Sequence, residues 1–296
     1  MASRSFPFAR ACLELTKPGI SFFIGLTSLC GFFVRPELVE SWLFFPALFL
    51  SSYATSAGSA AFNQYYEQDL DRQMQRTRSR PLPSGRLSPP FALAFALFMV
   101  VSGLALAYFL CGVYTALFLL LGAFSYIVLY TIITKRRTAW NVPLGGFCGF
   151  FAAYAGVVGN GGEITQEGHA YALLLYFWSA PHFWSLAIFK RADYEKVGIP
   201  MLPVVVGSRK TALATLAHVL VLIPVSTLFW SMALPAALLI LLAALLFAYY
   251  SVLLWHAALM LTEETLLRRA RQTFLYSLAY LPLVFLGLGV GYAMRS

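Results

Sequence analysis

Charge is what this sequence most conspicuously lacks. Only 11% of its 296 residues are Asp, Glu, Lys or Arg, against 60% hydrophobic residues, and the mean hydropathy is +0.74. A soluble chain of this length has a surface to cover with charge, and too few charges are present to cover it. The deficit excludes an ordinary soluble domain and assigns most of the surface to lipid. Cysteine is scarce too. Cys12, Cys30, Cys111 and Cys148 form no CxxC pair and no ligand spacing, which excludes a disulfide framework and a cysteine metal cluster and leaves four small apolar packing residues. No Asp, Glu, Lys or Arg interrupts the long apolar stretches, which argues against a polar translocation path.

A bilayer-crossing helix needs roughly 20 mostly apolar residues. Nine such stretches are present, at 18–34, 41–62, 90–110, 113–133, 141–159, 169–189, 211–231, 235–257 and 273–293. The expected fold is therefore all-α, a polytopic membrane bundle of nine transmembrane helices forming a single domain over 1–296. No small-x-small cleavage site cleanly follows the first span, which is read as retained rather than as a signal peptide. The formal charge of +9 would suggest nucleic acid in a soluble protein; here it reports topology, and no nucleic-acid partner is expected. Nineteen of the 21 basic residues fall in the N-terminal arm and the loops after spans 2, 4, 6 and 8, leaving Arg35 and Arg295 on the other side. By the positive-inside rule the N-terminus is cytoplasmic, the C-terminus is outside, and the polar chemistry opens to the cytoplasmic face of a plasma (inner) membrane.

Two of those loops carry chemistry. After span 2 the chain reads Asn63-Gln-Tyr-Tyr-Glu67-Gln-Asp69-Leu-Asp71-Arg72, then continues through Arg76, Arg78 and Arg80 to Pro81, Pro83 and Arg86. If span 2 continues as a helix, Asn63, Glu67 and Asp71 recur every four residues and share one face, whereas Asp69 points elsewhere. Oxygen ligands one turn apart suit Mg²⁺, which takes a few carboxylates together with phosphate oxygens of a substrate. The arginines that follow can clamp a diphosphate. The plainer reading is a solvated helix end whose charges balance one another; carboxylates at a membrane boundary are costly without a purpose, which favours function. The loop after span 6 repeats the logic with Lys190, Arg191, Asp193, Glu195 and Lys196 before Gly198, Pro200 and Pro203. Two acidic motifs on one membrane face can hold one diphosphate between them.

These residues resemble the UbiA superfamily of intramembrane prenyltransferases. The matching stretches are LTKP at 15–18, the Asn63–Asp71 motif with RTRSRPLPSG at 76–85, YTIITKRRTAWN at 130–141 and PHFWSLAIFKRADYEKVGIPMLPVV at 181–205. The last block resembles the branch that farnesylates heme b rather than those acting on quinone or chlorophyll precursors. The resemblance implies the superfamily's fold and a Mg²⁺-dependent transfer of farnesyl from farnesyl diphosphate to the 2-vinyl group of heme b. Water adds, giving heme O and diphosphate; a quinone precursor or other aromatic acceptor is the alternative. It assigns Asn63, Glu67, Asp71 and Asp193 to catalysis and metal binding, and Arg72, Arg76, Arg80, Lys135, Arg136, Lys190 and Arg191 to the diphosphate. Heme b is then a substrate, not a cofactor. The implied partners are the bilayer, both substrates, and a heme A synthase or terminal-oxidase assembly factors. The chain departs from the superfamily pattern at Glu67, where Asp is usual, and at Val197, the fifth position of the second acidic motif.

The remaining candidates have two readings each. Lys135 and Arg136 serve as membrane anchors by position alone, or as diphosphate contacts by resemblance. His182 is a hydrogen-bonded core residue or a heme contact. Tyr126 and Tyr130, one turn apart, are interface aromatics or a π surface that steadies a carbocation. Gly145, Gly149 and Ala153 read as a helix-packing face.

Overall fold

The computed structural model describes residues 5–34 and 42–294; Arg4, Arg35 and Arg295 of the charge count lie outside the described residues. Every element among the described residues is a helix. Helix α1 (Ser5–Leu15) and α2 (Pro18–Phe32) form one bent unit, turned by 49° at the break. The cause is local. Pro18 cannot extend α1 but suits the first turn of α2, and Lys17 between them takes a left-handed backbone (φ 47°, ψ 63°). Next come α3 (Phe44–Tyr66) and the short α4 (Gln68–Gln73). Helix α5 (Pro89–Cys111) opens on a Ser88 cap and ends at Gly112, whose φ of 98° suits glycine. Helix α6 (Val113–Phe124) runs on as a π-helix over Ser125–Thr134. The short α7 (Asn141–Gly145) leads into α8 (Phe147–Val157), and α9 (Gln166–Phe189) into α10 (Arg191–Lys196). The last three are α11 (Leu202–Thr227), α12 (Leu234–Met260) and α13 (Glu263–Ala293).

All nine expected spans are occupied by helix, but they do not all qualify as spans. Among the described residues six helices are long and apolar enough to cross a membrane, or seven if the bent α1–α2 pair is one span. The other two are Asn141–Val157, which is shorter, and α3. Helix α3 carries buried Ser51, Ser52, Thr55 and Ser59, which lower its hydropathy. Its hydroxyls bond back to the helix's own carbonyls, Thr55 Oγ1 to the Ser51 oxygen and Ser59 Oγ to the Thr55 oxygen, each at 2.8 Å. That back-bonding lets a polar helix sit inside an apolar bundle. The molecule is a multi-pass membrane protein.

Between apolar helices in lipid, association rests on close van der Waals packing, which small residues permit. Gly31 of α2 and Gly156 of α8 meet at such a crossing. A methyl group on Gly31 would lie 2.5 Å from the Ala153 oxygen, and one on Gly156 would overlap the Ser28 oxygen. Ser28 Oγ donates to the Ala152 oxygen at 2.9 Å across the same contact. Gly156→Ala is expected to destabilise the bundle by about 1–3 kcal/mol through overpacking, read as a lowered thermal midpoint in detergent; an unchanged midpoint would contradict this crossing.

The basic segments gather at one end of the bundle. Lys17 touches α3 and the π-helix. Tyr194 of α10 packs with Met74, just past α4. The ends of α9 and α12 meet the starts of α11 and α13 through Ile188, Leu254, Ala212 and Ala270.

Candidate active site

The acidic stripe survives a helix break. Helix α3 ends at Tyr66, and Glu67 leaves helical geometry (φ −100°, ψ 11°) before α4 begins. The expected continuous helix is therefore kinked at Glu67. The hydrogen bonds from Glu67 N to the Asn63 oxygen (3.0 Å) and from Asp71 N to the Glu67 oxygen (2.9 Å) nevertheless keep four-residue spacing. Asn63, Glu67 and Asp71 are 2%, 2% and 3% exposed; this is a buried amide with two buried carboxylates, not a solvated helix end. Asp69 faces out, as its position two residues away requires, and takes both guanidinium nitrogens of Arg136 at 2.8 and 3.0 Å.

Buried carboxylates need paired cations, and each has one. Lys135, just past the π-helix, ion-pairs with Glu67. One nitrogen of Arg80 reaches both oxygens of Asp71, at 2.8 and 2.7 Å. Thr77 Oγ1 donates to the Asp71 backbone oxygen at 3.1 Å and ties the arginine loop to the motif. Asn63 accepts from Lys17 Nζ at 2.8 Å and donates to Thr131 Oγ1 at 3.2 Å. Lys17 also donates to the Tyr126 hydroxyl at 3.4 Å. Lys17 is the member that sequence reasoning missed. Its signal is faint: a lysine before proline, whose left-handed turn swings the side chain onto α3.

The two tyrosines stack, with ring centroids 5.6 Å apart and planes at 27°. Lys135 Nζ stands 5.6 Å from the Tyr130 ring centre. Gly145 lacks the Cβ that would meet the Tyr130 ring at 2.7 Å, so this glycine fits the packing reading and positions the tyrosine. Tyr126 also lines an apolar cavity between α2, α3, α6 and α8, whose wall includes Ile20, Ile24, Leu119 and Ala152. The charged stripe thus sits at the mouth of an apolar chamber.

Other candidates fall elsewhere. Arg72, Arg76 and Lys190 are exposed, and Arg191 is half-buried with an unpaired buried Nε. Asp193 does not gather with Glu67 and Asp71: among the described residues no three His, Cys, Asp or Glu side chains could together hold a metal. The reason is the turn into α10. Tyr194, not Asp193, points inward to pack near Met74 and Leu70, and burial raises the Tyr194 hydroxyl pKa. His182, on α9, faces α13, bonded through Nδ1 to Ser277 Oγ at 2.7 Å, stacked on Trp178 and tilted against Phe274. This is the core-histidine arrangement.

The Arg136–Asp69 pair offers a control. The guanidinium beside Asp69 holds its carboxyl below the usual range. A depressed carboxyl pKa stabilises the fold above the ordinary Asp range and loses that contribution as pH falls through the folded value. The pair is exposed, so Asp69→Asn is expected to change stability by less than about 1 kcal/mol and leave activity within about twofold; a loss comparable to that of Asp71→Asn would overturn the division between the two aspartates.

The comparisons agree with this architecture. The UbiA prenyltransferase family profile matches residues 24–278, and the chain belongs to that family. Among its relatives, protoheme IX farnesyltransferase 1 of Paramagnetospirillum magneticum is 36% identical over 277 residues, covering 94% of this chain and 96% of that protein. Protoheme IX farnesyltransferase 1 of Pseudomonas entomophila is 37% identical over 281 residues, covering 94% and 92%. The fold is shared with a UbiA homolog from Archaeoglobus fulgidus bound to GPP and Mg²⁺, with a TM-score of 0.72 and 18% identity over 93% of this chain and 99% of that one.

Proposed function

We propose that the chain transfers farnesyl from farnesyl diphosphate to the 2-vinyl group of heme b, with addition of water, giving heme O and diphosphate. The observation that carries this reading is a buried acid–cation stripe at the mouth of an apolar cavity. The near-full-length relatives supply the acceptor.

The stripe fits a divalent cation. Glu67 Oε1 is buried with no hydrogen-bond partner, and the neighbouring oxygens of Asp71 and Asn63 are hard donors of the kind Mg²⁺ selects. Glu67 and Asp71, with Asn63, would hold it; Asp193 would contribute from the second motif through the diphosphate rather than on the same ion. A bound Mg²⁺ would supply charge stabilisation for the departing diphosphate. Lys135, Arg80 and Lys17 supply the same from the protein side when their present acidic and amide partners are taken up. Arg76, Arg191, Arg72, Lys190 and Arg136 form the outer basic rim that draws the diphosphate in.

As the C1–oxygen bond breaks, the allylic cation forms beside the stacked faces of Tyr126 and Tyr130, which stabilise it by cation–π attraction. The apolar cavity excludes water from the cation until the vinyl carbon attacks. Water then adds to the porphyrin-stabilised cation and releases a proton. The site opens to the cytoplasmic face of the cell's inner membrane, where farnesyl diphosphate arrives from solution. Incubating the purified chain with farnesyl diphosphate, Mg²⁺ and either heme b or an aromatic acid tests the acceptor. Consumption of heme b alone is expected; prenylation of the aromatic acid alone would replace this reading with the quinone-precursor one.

A further inference from the structure

Thr131, on the π-helix, is fully buried and stands between Asn63 and the backbone of Tyr126. Its Oγ1 donates to the Tyr126 carbonyl, five residues back, at 2.8 Å. Thr134 repeats that reach to the Leu129 carbonyl at 2.8 Å, whereas Thr55 and Ser59 of α3 reach back only four residues. The longer reach follows from the wider π turn. A carbonyl only accepts, so the one hydroxyl hydrogen of Thr131 is committed to Tyr126. Thr131 Oγ1 therefore meets Asn63 as an acceptor, at 3.2 Å, and the Asn63 atom facing it must be Nδ2. Lys17 Nζ, a donor without acceptor capacity, meets the other side of the amide at 2.8 Å, so that atom is Oδ1. Lys17 also donates to the Tyr126 hydroxyl at 3.4 Å, which closes a ring through Lys17, Asn63, Thr131 and Tyr126. The direction of one threonine hydroxyl thus decides which way the Asn63 amide is turned.

The amide is the one ligand of the stripe that has a wrong side. Its Oδ1 can take a divalent cation; its Nδ2, which carries two hydrogens, cannot. Glu67 and Asp71 present oxygens on both sides of the carboxylate and need no such guide. We infer that Thr131 is a positioning residue for the metal: it holds Asn63 turned so that Oδ1 is the atom offered to a cation, Lys17 in the resting chain and the metal when it binds. Outer partners of this kind orient a ligand without touching the ion, and their loss costs about 10- to 100-fold in metal affinity. The inference rests on the prenyl-transfer reading and adds to it the group that turns one of its ligands.

The test is Mn²⁺ binding, followed by electron paramagnetic resonance, to the full chain in nanodiscs with farnesyl diphosphate present, alongside thermal midpoints. Thr131→Val keeps the side-chain shape and removes the hydroxyl; it should raise the half-saturating Mn²⁺ concentration about 10- to 100-fold. Thr131→Ser keeps the hydroxyl and should stay within about threefold of the unaltered chain, well short of that loss. Asn63→Asp makes the two sides of the ligand alike. Adding Thr131→Val to it should therefore move its half-saturation by less than about twofold, because the two positions act as a unit. Thr131→Ala carries the same expectations as Thr131→Val, so one poorly folding variant does not decide the matter. An unmoved half-saturation in folded Thr131→Val, a loss in Thr131→Ser as large as in Thr131→Val, or an equal loss in the Asn63 and Asn63→Asp backgrounds makes Thr131 merely structural and leaves prenyl transfer standing. Failure of the unaltered chain to bind Mn²⁺ beside farnesyl diphosphate overturns the metal reading and the inference together.

Discussion

Replacing Asp71 by Asn should lower heme O formation by about 100- to 1000-fold, the loss seen when one preorganised charge-stabilising group is removed. The substitution is nearly isosteric, so the Thr77 contact to the Asp71 backbone at 3.1 Å remains. What changes is charge. Arg80 now spans both Asp71 oxygens, and a neutral amide cannot pair with it or offer a metal two anionic oxygens. The tightness of farnesyl diphosphate binding should lose most of its dependence on Mg²⁺ concentration at the same time. Heme O formed at the normal rate by a folded Asp71→Asn protein would remove the stripe from the mechanism.

The second large effect concerns Lys135 and Glu67. Both side chains are buried, at 15% and 3% exposure, and they pair with each other. Lys135→Met strands the Glu67 carboxylate, whose other oxygen already has no partner. Breaking one member of a buried ion pair costs about 3–5 kcal/mol, so the variant should be markedly less stable. Glu67→Gln placed on Lys135→Met removes the stranded charge. The double variant should recover most of that stability, because neighbouring groups are not additive, yet remain without activity. Thermal denaturation and product analysis on the three variants separate the roles. Recovery of activity along with stability would reduce the pair to a structural ion pair.

How much of this was legible in the sequence follows from what each feature depends on. The Asn63/Glu67/Asp71 face depends on local spacing, and it survived because the backbone bonds carry the register through the kink at Glu67. Tyr126 and Tyr130 were legible as a pair for the same reason. The π-helix that carries them, with Lys135 N bonded five residues back to Tyr130, left no mark in composition. Helix α3 shows where hydropathy reading thins out: its hydroxyls line the cavity, so the helix closest to the chemistry is long enough to span but not apolar enough to qualify. Lys17 was hidden because its reach comes from one left-handed residue, a conformation uncommon outside glycine and asparagine. Asp193 is harder to read, because an acidic residue after a span looks the same whether it or its neighbour turns inward, and here Tyr194 is the buried one. The curated relatives fix the family, and the acceptor rests on them; nothing in the packing of His182 against Ser277 and Trp178 distinguishes a heme enzyme.

The most direct measurement is an experimental structure of the full chain with Mg²⁺ and a non-hydrolysable farnesyl diphosphate analogue. The account predicts the metal on Glu67 and Asp71, the diphosphate released onto Lys135, Arg80 and Lys17, and the farnesyl chain running past Tyr126 into the apolar cavity. A diphosphate bound elsewhere, with the Lys135–Glu67 and Arg80–Asp71 pairs intact, would contradict it.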